Sequence, residues 1–497
     1  MTSLATLVSL FVPITIGFGF VRTCIPGEKH LCRHDWLRFC LGVGVGFGLC
    51  SCALFVWLLT YGAVHAAYIV VEIGLAILFG ALAAYRATGC SLCKSTVPET
   101  TPTAWKRPLL ILFGLILLSV CLSFALESRI HPEGQGDAWA IWNLRARSLF
   151  RGGEQWRNAF SGTLVLSLPD YPLLLPGLVV RSWIYTGTET QNVPVGIAAL
   201  FTFATVGVLT AALSALAGRE KALLAGIVLL GTASFVKLGA AQYADMPIAF
   251  FFLASIVLLC MQDRLPVSGA VLLGISAALA AWTKNEGLLF FALLLITMKW
   301  TKQPVSGVLM GAICVLTILA IFKISLAPPN YLAKSGGTAL LRKLMDPSRY
   351  VVVAAGFVYH LIHFGGQRLN PLVPLFAGIL LLKHTAKRGS RSAAIILSGM
   401  CAGVSFVYLI TPFDLAWQVA WSLGRLLLQL WPAALFACFY SVDVPTAPPT
   451  TRSETVPPSS QALAMPDGVM PERGYLNIIL PDGVIQDAHA PVHRTYI

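Results

Sequence analysis

Two aspartates carry the most specific chemistry in this chain of 497 residues: Asp137, between Gly136 and Ala138, and Asp245, in Gln242-Tyr243-Ala244-Asp245-Met246-Pro247. A carboxylate in such a setting suits two jobs. It can take a proton from a hydroxyl as a general base, or it can accept hydrogen bonds from the free N–H groups of a helix that it opens. Both uses stay open for both residues. Lys284 and Glu286 lie in Trp282-Thr283-Lys284-Asn285-Glu286-Gly287, and Arg425 closes Ser422-Leu423-Gly424-Arg425, not far beyond Asp414. Asp170 and Tyr171 sit between Pro169 and Pro172, a pattern that also describes a plain turn. Arg145 and Arg147 follow Asp137 on a segment that reads as an amphipathic helix, with Trp139 and Trp142 toward one side. Aromatics and arginines would equally anchor such a helix at a membrane interface. Lys284 goes against the charge bias of the chain, which suggests a job such as pairing with a phosphate or with Glu286.

The elements that must position these residues are membrane spans. Hydrophobic residues make up 57% of the chain and charged ones 11%, with a mean hydropathy of +0.76. A soluble protein averages about 25% charged residues, so a soluble enzyme, a disordered scaffold and a fibrous protein are excluded. The apolar runs are too continuous for the alternation of a transmembrane β-barrel. A span needs about 20 apolar residues. Runs that fit or approach this cover 4–21, 39–61, 66–85, 109–126, 193–216, 222–237, 247–261, 267–282, 288–300, 306–324, 372–382, 393–410 and 426–440. The expected fold is therefore all-α and polytopic, with about 13 transmembrane helices.

The net charge of +13 gathers in short loops between apolar runs, where the positive-inside rule makes it a signal of orientation. No basic patch on a soluble domain is present to bind nucleic acid. The run 4–21 has no basic residue ahead of it and several behind, so it reads as a signal-anchor with its N-terminus outside. Placing the basic clusters in the cytoplasm requires that 173–185 and 351–364 do not cross. They are expected as amphipathic or re-entrant helices at the outer interface, and the candidate residues then share the external side. Residues 441–497, opening Pro/Ser/Thr-rich, read as a flexible cytoplasmic tail. Cys24, Cys32, Cys90 and Cys93 could hold a zinc ion, although reduced thiols explain them as well. No repeat of fixed period is visible.

The Gly136–Trp142 segment, Pro169-Asp170-Tyr171-Pro172, Tyr243-Ala244-Asp245-Met246-Pro247, Lys284-Asn285-Glu286-Gly287 and Arg425…Pro432 resemble bacterial polytopic glycosyltransferases of the GT-C type. The branch is the one that is protein O-mannosyltransferase-like and aminoarabinose-transferase-like. The resemblance covers about 127–440, leaving 1–126 as preceding transmembrane helices and 441–497 as the tail, with 127–192 and 327–371 as external loops. It implies an inverting transferase of the cell envelope in the bacterial inner membrane, working at the periplasmic face. A sugar would pass from a polyprenyl-phosphate carrier to a lipid, glycan or protein acceptor. It also implies Asp137 as general base, Asp245 as the residue orienting base or acceptor, and Lys284 and Arg425 on the carrier phosphate. Glu286, Arg145, Asp170 and Tyr171 complete the expected substrate site. No cofactor is required; a divalent cation between Asp137 and Asp245 is conceivable but disfavoured. Two departures from the family stand out: Asp137 lacks an acidic neighbour, and four extra helices precede the site. The competing readings are a transporter or flippase for lipid-linked sugars or other amphiphiles, which predicts charges inside spans and a pseudo-repeat, and a non-catalytic membrane assembly partner.

Overall fold

A computed structural model describes residues 2–25, 35–88, 106–163, 167–330, 337–366 and 387–442, all within one compact unit, Met1–Val444. Every regular element among the described residues is helical. The chain opens with α1 (Thr2–Cys24), α2 (Asp35–Tyr61), α3 (Tyr68–Thr88) and α4 (Lys106–Ile130). A π-helical turn (Ala138–Trp142), α5 (Asn143–Arg151) and α6 (Leu174–Thr186) follow. Next come α7 (Asn192–Leu216), α8 (Arg219–Leu230), α9 (Ala233–Ala240), α10 (Asp245–Met261), α11 (Val267–Thr283), α12 (Glu286–Trp300) and α13 (Ser306–Ser325). The last four helices are α14 (Gly337–Leu344), α15 (Pro347–His363), α16 (Arg388–Ile410) and α17 (Leu415–Ser441).

Among the described residues nine helices are long and apolar enough to cross a membrane: α1–α4, α7, α10, α13, α16 and α17. The number becomes ten if α8 and α9, bent by 67° at residues 231–232, form one broken span. Nine of the roughly 13 expected spans are thus matched among the described residues, and length separates α11 and α12 from them. At 1.5 Å per residue the 15-residue α12 is only about 22 Å long, against a hydrocarbon core of about 30 Å. The 17-residue α11 is short as well, and the expected span at 372–382 lies outside the described residues. So do Cys32, Cys90 and Cys93 of the cysteine set, and nearly all of the 441–497 tail; Cys24 is buried.

Helices surrounded by lipid gain little from burying apolar side chains against each other, so small residues that let backbones approach decide where they pack. In α2 the glycines recur at every second position and serve several faces at once. A Cβ on Gly46 would stand 1.8 Å from the carbonyl oxygen of Pro13 in α1, and one on Gly17 of α1 would stand 1.9 Å from that of Gly42. On other sides Gly44 meets the Phe250 ring of α10, and Gly48 meets Leu279 of α11. α11 and α13 approach in the same way, Gly274 against the Val308 carbonyl and Gly311 against that of Val271. These contacts put α2, α10 and α11 at the centre of the bundle.

Two sequence expectations are corrected here. The 173–185 segment is not amphipathic, one of the two forms expected for it. Ten of the thirteen residues of α6 are buried, and Arg181 is sealed inside against Glu72 of α3. Its Nη2 lies 2.6 Å from Glu72 Oε2 and its Nε 2.7 Å from Oε1, while Nη1 donates to the Ser9 carbonyl at 2.6 Å. The hydroxyls of Tyr68 and Tyr185 also donate to Glu72, at 2.6 and 2.9 Å. An arginine on an apolar helix reads as a headgroup anchor only while its acidic partner, 109 residues away, is unknown. The last helix is likewise longer than its expected span, 426–440. Asp414 caps α17 by accepting the Trp417 N–H at 2.7 Å, so the last helix starts eleven residues before the expected span at 426 and carries Arg425 inside it. By contrast α15 keeps an exposed apolar face that includes Val351, Val358 and Ile362.

Candidate active site

Asp245 stands in the first turn of α10 without capping it, as no side-chain cap bond forms there. Its carboxylate instead accepts from three side chains on two other elements. Arg425 Nη2 lies 2.9 Å from Oδ2, Gln429 Nε2 bonds Oδ1, and Lys284 Nζ lies 3.5 Å from Oδ1. Arg425 and Gln429 are four residues apart in α17 and so project from the same face. Asp137 precedes the π-helical turn, again without a capping bond. Its Oδ2 lies 2.6 Å from the same Arg425 Nη2, so one guanidinium nitrogen bridges both aspartates. Burial divides the pair: the Asp245 side chain is 1% exposed and that of Asp137 24%. The capping use that the sequence allowed for both belongs to neither, whereas Asp414, offered as a neighbour of Arg425, is the real cap.

Lys284 lies in the turn between α11 and α12, 3.1 Å from Glu286 Oε1. Burial works against its ammonium, yet the carboxylates of Asp245 and Glu286 outweigh that cost and hold its pKa above the ordinary lysine value. Tyr243 joins the parts. Its hydroxyl accepts the Asp137 N–H at 3.3 Å, and the Arg425 guanidinium rests over its ring, 4.5 Å from the centroid.

Asp170 and Tyr171 form the opposite wall. Asp170 Oδ2 accepts from the amides of Asn285 (2.8 Å) and Asn330 (2.7 Å). Lys323 of α13 reaches both the Asp170 carbonyl and Asn285 Oδ1. The Tyr171 ring stacks on Trp142, with centroids 5.6 Å apart. Arg145 is placed behind this wall rather than on it. It is 1% exposed and donates to the carbonyls of Ser167, Leu168 and Tyr171, so it shapes the loop that carries Asp170. Trp139 and Trp142 do not share a side, since Trp139 is 58% exposed and Trp142 is buried.

All of the expected residues except Arg145 line one cavity of about 610 Å³. Its polar floor holds Asp137, Asp245, Lys284, Glu286, Arg425 and Asp170; its apolar side is built from α16 and α17 and includes Val404, Val407, Trp417 and Trp421. Trp417 and Trp421 are parallel and each well exposed. A smaller cavity of about 330 Å³ near Trp36 and Phe113 carries a single charged residue, Arg219. Gln429, Asn330 and Lys323 were missed in sequence. Lys323 had a usable signal, a lysine inside an apolar run; Gln429 and Asn330 had none. No group of three or more His, Cys, Asp or Glu side chains suited to a metal ion occurs among the described residues. Chemically, the arrangement offers a partly exposed carboxylate, a buried one that anchors two cations, and an apolar wall beside them. No family model matches the chain, and no curated protein or solved structure matches it.

Proposed function

We propose that the protein is a membrane glycosyltransferase that moves a sugar from a polyprenyl-phosphate carrier to an acceptor hydroxyl, with inversion at the anomeric carbon. The observation that carries this reading is the cavity itself. It joins a carboxylate pair, a guanidinium and an ammonium to an apolar wall, the combination that a lipid-linked phosphate and a hydroxyl acceptor require. In the proposed step Asp137 takes the acceptor hydroxyl proton, and the acceptor oxygen bonds to the anomeric carbon as its bond to the phosphate oxygen breaks. The electron pair of that bond stays with the phosphate, whose charge changes from −1 to −2. Arg425 and Lys284 stabilise this growing charge where little water competes. Asp245 holds both cations in place. Exposure supports this division of labour, because the more accessible Asp137 is the carboxylate that a hydroxyl can approach.

The reading places the cavity at the periplasmic face of a bacterial inner membrane. Support comes from basic residues at the far ends of several helices: Lys221 and Lys387 bond the carbonyls of Val442 and Tyr440, and Arg388 bonds that of Thr301. By the positive-inside rule that end is cytoplasmic. The acceptor is a lipid, glycan or protein.

The test is donor turnover. Purified protein in lipid receives labelled polyprenyl-phosphate sugars with membrane extract as acceptor, and release of polyprenyl phosphate is followed. Wild type should turn over at least one donor, and Asp137→Asn should lower the rate by roughly 10²–10⁴-fold, the usual worth of a general base. Equal rates would remove Asp137 as the base. No turnover by folded protein would point to transport instead.

A further inference from the structure

Arg425 serves two masters at once. The guanidinium needed by a phosphate is, in this structure, holding the carboxylate needed by the acceptor. Building on the proposed transferase reading, we infer that the Asp137–Arg425 ion pair is a latch, which masks the base until the donor phosphate displaces it.

Three observations support the displacement and give it a direction. First, the two aspartates hold Arg425 unequally. Asp245 is sealed in and has Gln429 and Lys284 as further donors, while among the described residues Arg425 is the one side-chain donor to the Asp137 carboxylate. An anion competing for the guanidinium therefore releases Asp137 and leaves Asp245 in place. Second, the nitrogen beside the shared one is unused. Arg425 Nε is buried and has no hydrogen-bond partner among the described residues. Nε and Nη2 form one edge of the planar fork, the edge that grips two phosphate oxygens side by side. A phosphate that turns the guanidinium away from Asp137 brings this buried edge into reach, satisfying Nε and taking over Nη2 in the same movement. Third, Tyr243 keeps the released base in position. Its hydroxyl holds the Asp137 backbone N–H, and its ring supports the guanidinium, so neither contact depends on the ion pair.

Two consequences follow. Binding is ordered, because the acceptor meets a free carboxylate only after the donor has entered. The grip on the phosphate also tightens during the reaction, since the leaving group gains a negative charge as Asp137 takes up the proton and ceases to compete.

The experiment measures affinity for decaprenyl phosphate in nanodiscs, together with turnover of the donor. Removing the base should improve binding. Asp137→Asn and Asp137→Ser should each bind about five- to tenfold more tightly than wild type, the size of one competing ion pair in a partly buried site, while losing turnover. Glu133→Gln, which removes a charge four residues before Asp137, outside the cavity and paired with Arg147 rather than Arg425, should change affinity less than about twofold. In the Arg425→Lys background, which lacks the planar fork, Asp137→Asn should give no such gain, so the double-mutant cycle shows coupling. Unchanged or weaker binding by both Asp137 variants overturns the latch but leaves the transferase reading intact if turnover is lost. Equal tightening by Glu133→Gln also overturns it, by showing that loss of negative charge near the site is alone responsible. Absence of donor turnover in wild type sinks the transferase reading itself.

Discussion

Asp137 and Asp245 are the same residue type at the same kind of place, a helix start, yet their surroundings prepare them for different work. Asp245 is an anchor. Replacing it with asparagine leaves Arg425 and Lys284 facing each other in a site with little water, and losing one partner of a buried charge cluster costs about 3–5 kcal/mol. Unfolding in lipid should show that loss for Asp245→Asn, whereas Asp137→Asn, at a more open position, should stay within about 1 kcal/mol of wild type. Similar destabilisation of the two variants would contradict this division. Lys284 supplies a pH prediction. Its pKa is raised in the folded state, so the contribution of its charge is complete below the unfolded value and is lost only as pH rises through the higher folded one. Phosphate affinity should therefore show no lysine titration between pH 7 and 9. Glu286→Gln removes one of the carboxylates that hold the pKa up, and should bring a fall in affinity to lower pH.

At the scale of elements, the Glu72–Arg181 pair ties the early part of the chain to the candidate site. α6 begins just after the Asp170–Tyr171 wall, and Glu72 of α3 holds it by its only arginine. Glu72→Gln should destabilise the protein by about 3–5 kcal/mol, since it strands a buried guanidinium. Glu72→Gln with Arg181→Met should recover much of that loss, which equilibrium unfolding of the single and double variants would measure. α2 provides a second case. Gly46→Leu puts a side chain where a Cβ already lies 1.8 Å from a backbone oxygen, so α1 and α2 must separate. Loss of folded protein on size-exclusion chromatography is expected; a stable Gly46→Leu protein would show that this approach is dispensable.

For the whole molecule, the testable property is orientation. Gln155→Cys, on the segment between the π-helical turn and α6, should react with a membrane-impermeant maleimide added to intact cells. Asp263→Cys, at the other end of α10, should react only after permeabilisation. The reverse pattern would place the cavity in the cytoplasm and remove the external donor from the proposal.

Much of this molecule is legible along the chain because lipid imposes a one-dimensional rule. A helix in a bilayer must satisfy its backbone internally and present apolar side chains over a minimum length, so composition alone reveals an all-helical, multi-pass protein and locates most of its long helices. The residues that line the cavity were also visible, as carboxylates and cations beside apolar runs. Their partners were not. Whether Asp137 caps a helix or meets Arg425, 288 residues later, depends on which helices approach, and that is decided by glycine contacts and buried ion pairs with no local trace. For the same reason Arg181 reads as a surface anchor and Arg145 as a ligand until folding encloses them. Residue type announces what a side chain can do; only tertiary packing assigns the neighbour it does it with.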